Sequence, residues 1–139
     1  MDFKSQDLTD IDIITLEGCQ AGLLRLQDLY ALLRTKISGD KETLYTIIDD
    51  AVDIAIPILD SLRTIAQKDL SVGKSWALTK DILLFANKDS TVPGLKHNIV
   101  TGNISGSMAR IKIIQQQIHD AQAFLSIVLE SNRAYSKTG

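Results

Sequence analysis

The stretch Leu16–Ile37, LEGCQAGLLRLQDLYALLRTKI, decides the fold. Its Leu16, Cys19, Leu23, Leu26, Tyr30, Leu33 and Ile37 follow one another at spacings of three, four, three, four, three and four. That is the a/d repeat of a heptad. A helix that carries it turns one continuous apolar stripe to its neighbours, and the stripe must be buried. Thr9 or Asp10 is placed to cap this helix. Asp10, Asp12 and Glu17 lie near its positive end, and Arg34 and Lys36 near its negative end.

Outward from this helix the same pattern recurs. Ser38-Gly39-Asp40 reads as a stop and a restart, with Asp40 as the next N-cap. So short a link makes the first two helices antiparallel neighbours. Helix 2 is predicted from Lys41 to about Lys68. Its seam is Leu44, Ile47, Ala51, Ile54 and Ile58, widened by Ile48, Ala55, Leu59, Leu62 and Ala66. Pro57 lies inside this run; it lacks an N–H and crowds the carbonyl of Asp53, so a bend is predicted. Two shorter helices meeting at Pro57 are the alternative.

Asp69-Leu70-Ser71 supplies the next cap. Helix 3 then runs to about Lys88 on a seam of Val72, Trp76, Thr79, Leu83 and Ala86, with Ile82 and Phe85 extending it. Asn87 to Gly94, NKDSTVPG, is polar and contains Pro93 and Gly94, so it reads as a loop. Leu95 to Thr101 is open between a helical turn or two and an extended segment. A last helix starts between Asn103 and Ser107 and runs to about Tyr135. Its seam is Ile111, Ile114, Ile118, Ala121, Leu125 and Val128. Residues 1–9 read as a frayed lead-in and Ser136–Gly139 as a disordered tail. There is no strand pattern and no internal repeat. The expectation is a single domain over residues 1–139, an all-α antiparallel up-down-up-down four-helix bundle. It has five helices if residues 95–101 form their own.

Composition narrows the chemistry. Hydrophobic residues make up 45% of the chain but aromatics only 5%, so the core is aliphatic. Fifteen basic and 17 acidic residues leave a net charge of −2, too balanced to draw in a phosphate backbone. No nucleic-acid partner is expected. Cys19 is the only cysteine, so no internal disulfide forms, in keeping with a reducing compartment. The polar start MDFKSQDLTDID has no secretory pattern, and no run approaches 18 uncharged apolar residues. No transmembrane segment and a cytoplasmic location are therefore expected. Asn103-Ile104-Ser105 matches a glycosylation sequon, which matters only in a secretory pathway.

Candidate sites are weighed by what their chemistry needs. Val72-Gly73-Lys74-Ser75 matches the end of a phosphate-binding loop, but Lys68 stands where its first glycine belongs and no strand precedes it. A flexible first turn of helix 3 is the simpler reading. His97 lacks the following lysine of a phosphotransfer histidine, and His119 falls beside the last seam, facing outward. Asp49 and Asp53 share a helix face but have no Glu-x-x-His partner, so a solvated face is expected and no metal or cofactor. Cys19 occupies a seam position suited to a small buried hydrophobe rather than a nucleophile.

Gly18 and Gly22 are different. Each costs a helix interior about 1 kcal/mol against alanine, and something should offset that. Glycines four apart allow close backbone approach, by a helix of the same chain or by a partner. Gly102 and Gly106 repeat the spacing at the start of the last helix. In helix 1, Ile13, Ile14, Leu24, Leu29 and Leu32 also lie off the seam. The expected function is therefore a non-enzymatic interaction or assembly module that pairs with itself or another protein. Its candidate surface is Ile14, Gly18, Gly22 and Leu29. The alternative is a lipid-binding or membrane-active bundle of the pore-forming or cell-death type. That reading is weakened by the lack of a basic amphipathic face.

Overall fold

A computed structural model describes residues 8–83 and 91–138. Five helices account for nearly all of them: α1 (Asp10–Thr35), α2 (Lys41–Ile65), α3 (Leu70–Leu83), α4 (Thr91–Val100) and α5 (Ile104–Thr138). A single 3₁₀ turn, Ala66–Lys68, follows α2. The protein is an all-α helical bundle, with no strand among the described residues. No helix among them is long and apolar enough to cross a membrane.

Local chemistry sets the ends of the helices. Thr9 and Asp12 form a reciprocal capping box: the Asp12 N–H donates to Thr9 Oγ1, and the Thr9 N–H to Asp12 Oδ2, each at 3.0 Å. Asp40 caps α2 by accepting from the Thr43 N–H. Asp69 caps α3 by accepting from the N–H groups of Ser71 and Val72. Between α4 and α5 the chain reverses at Gly102, whose φ of +75° is favourable for glycine. The Gly102 N–H donates to the Ile99 carbonyl and the Asn103 N–H to that of Asn98, a Schellman ending. Asn103 then caps α5 through the Gly106 N–H. A Cβ on Gly106 would strike the Asn103 amide, so this second glycine pair serves the start of the last helix.

Long-range contacts give the order of the helices in space. Lys68 meets Asp12 at 2.8 Å while Gly22 meets Ile58, so α1 and α2 run in opposite directions. Gln20 bonds to Ser126 and Gln27 to the Gln115 carbonyl, which reverses α5 against α1. Ser75 donates to the Ala121 carbonyl, and Gln117 donates to Asp81. Farther along α5, Gly94 lies against Arg110 and Asn98 against Gly106. Thus α3 and α4 follow one another along α5. At 35 residues α5 is about 52 Å long, enough to back both.

The core follows the seams. Leu16, Leu23, Leu26 and Leu33 of α1 are fully buried, as are Ile111, Ile114, Ile118 and Leu125 of α5. Leu44, Ile48 and Leu62 join them from α2, and Leu95 from α4. Burying each such side chain is worth about 1.5–3 kcal/mol. Ile37 and Ile54, at the edges of their seams, are half-buried. Three hydroxyls enter the interior and are satisfied there. Ser75 donates to Ala121, Thr79 to the Ser75 carbonyl and Ser107 to that of Asn103.

Several expectations are corrected. Helix α2 runs unbroken through Pro57 and gives way to the 3₁₀ turn at Ala66, so the alternative of two helices meeting at Pro57 is excluded. The predicted loop over 87–94 fails for its last four residues, which are the first turn of α4. Pro93 is tolerated there because the opening N–H groups of a helix have no internal partner. Residues 87–90 lie outside the described residues, as do residues 1–7 and the helix 3 seam beyond Leu83. The predicted disordered tail is helical through Thr138. The first turn of α3, read as flexible, is pinned by the buried Val72 and Ser75.

Candidate functional site

The inner stripe of α1 is consumed by the core, since its six buried residues are all at most 4% exposed. What remains is the outer face. Here a second line with the same three-four spacing runs the length of the helix: Ile11, Ile14, Gly18, Ala21, Arg25, Asp28, Leu32 and Thr35. Every one of these residues is exposed. Ile11 is 74% exposed, Ile14 66% and Leu32 40%. Leu24, beside the line, is 59% exposed.

Along one side of this line, α1 and α2 leave an open groove of about 610 Å³. Its α1 wall is Thr15, Gly18, Cys19, Ala21, Gly22 and Arg25. Its α2 wall is Asp53, Ile54, Pro57, Ile58 and Ser61. The two glycines have different neighbours. A Cβ on Gly22 would come within 2.6 Å of Ile58 Cδ1, so close packing within the chain accounts for this glycine. A Cβ on Gly18 would meet nothing within 4 Å. The chain's own packing offers no reason for a glycine there.

The four residues singled out from the sequence do not form one patch. Gly18 and Gly22 line the groove. Ile14 lines a separate hollow of about 620 Å³ with Leu8, Ile13 and Leu129, rimmed by Asp10, Glu17, Asn132 and Arg133. Leu29 is half-buried against the core, as is Ile13. Sequence reading missed Arg25 and Asp53 as groove residues, although both are charged positions on helix flanks. Their place on facing walls depends on how α1 and α2 are rotated against each other.

The remaining candidates are placed without assembling a reactive centre. Cys19 is 4% exposed, and burial pushes its thiol up to about 11, with the Ser61 side chain pulling the other way. It stays a neutral thiol at physiological pH, and no histidine lines its groove. Burial likewise raises the Tyr30 hydroxyl. His97 and His119 are both exposed. His119 lies 3.6 Å from Asp120. Asp49 pairs with Lys96 at 3.2 Å across to α4. Among the described residues no group of three or more His, Cys, Asp or Glu is placed to hold a metal ion. Gly73 and Lys74 stand within the opening turns of α3. Asp12 is held below the ordinary carboxylate range, first by its hydrogen bond from Lys68 and then by the Thr9 N–H.

Compared with known proteins, the chain is matched by no family model, no curated protein and no solved structure.

Proposed function

We propose that this protein is a non-enzymatic assembly module that binds another protein chain through the outer face of α1. The observation that carries this reading is the concentration of apolar surface there. Of the ten large hydrophobic residues exposed among the described ones, four lie on α1: Ile11, Ile14, Leu24 and Leu32. A helix whose inner stripe is already buried gains nothing within its own fold from further large apolar residues on its outer face. Exposed large apolar residues gathered on one helix are a mark of interaction sites. The interior favours the same reading over storage of an acyl chain, because the seams of α1, α2 and α5 are closed on one another by their own side chains.

The test is the molar mass of the protein by light scattering over a range of concentrations, alone and with anionic vesicles. Association that the surface variant I11S/I14S/L24S/L32S abolishes, with helicity and thermal unfolding unchanged, is the expected result. A protein that stays monomeric and floats with the vesicles overturns it in favour of lipid handling.

A further inference from the structure

We draw no further inference here: the strongest candidate, the open groove between α1 and α2 lined by Gly18, Gly22, Ile54 and Pro57, has Arg25 on one wall and Asp53 on the other, so its charge selects no partner, and nothing in the structure shows what covers it.

Discussion

The two faces of α1 carry the same three-four repeat and meet opposite fates. The inner line, Leu16 to Leu33, is large, branched or aromatic at nearly every position and is sealed in the core. The outer line is large only towards its ends and has Gly18, Ala21, Arg25 and Asp28 in between. Periodicity alone therefore does not make a core. A seam is buried when its residues supply enough continuous apolar volume to fill the space between helices. The outer line does not supply it, and the helix has already spent its neighbours: α2 takes one flank through Ile58, and α5 takes the other through Ser126 and Gln115.

The contrast is tested most severely at the centre of the inner line. Leu23→Ala removes a side chain that is 0% exposed and leaves a cavity, at a cost of about 3 kcal/mol. Chemical denaturation should show it as a lower midpoint at unchanged slope. A loss below about 1 kcal/mol would mean that the inner line is packed no better than the outer one.

The glycines give a smaller effect, graded between the two sides. Gly22→Ala brings a Cβ to 2.6 Å from Ile58 Cδ1, the free end of a side chain that lines the open groove, so Ile58 must turn aside and part of the helix-propensity gain of about 1 kcal/mol is lost. Gly18→Ala meets no neighbour, so it should stabilise the chain by up to about 1 kcal/mol. Gly18→Ala is expected to raise the unfolding temperature more than Gly22→Ala, and thermal unfolding of both variants checks it. Equal gains at the two positions would erase the distinction between the two sides.

The smallest effect lies where α1 begins. Asp12 is bonded to Lys68 and to the Thr9 N–H, and its folded pKa is depressed, chiefly by Lys68. A depressed carboxylate stabilises the fold above its unfolded value of about 4, and that contribution is lost as pH falls through the folded value. Lys68 is partly exposed, so the pair is worth only about 0.5 kcal/mol. Lys68→Met should therefore lower stability slightly at pH 7, and the gap from wild type should close on acidification. A gap that persists in acid would assign the effect to packing of the lysine stem.

What the sequence by itself determined is whatever neighbours along the chain decide. Spacings of three and four specified which faces of α1, α2 and α5 are apolar. Thr9, Asp40 and Asp69 marked helix starts because their caps bond within three residues. Pro93 and Gly94 were misread for the same reason. Local signals score them as breakers, while their place in the first turn of α4 makes the proline harmless and the glycine leaves room for Arg110. Only the tertiary structure decided which apolar residues off the seams would be covered. Ile13 and Leu29 are packed against the core, whereas Ile14, Leu24 and Leu32 are left facing water. It also separated Gly22, where a Cβ would run into Ile58, from Gly18, where a Cβ would meet nothing within 4 Å. Those outcomes depend on the rotation of each helix about its axis and on how many helices surround it. They are long-range properties, which a three-four repeat read along one helix does not contain.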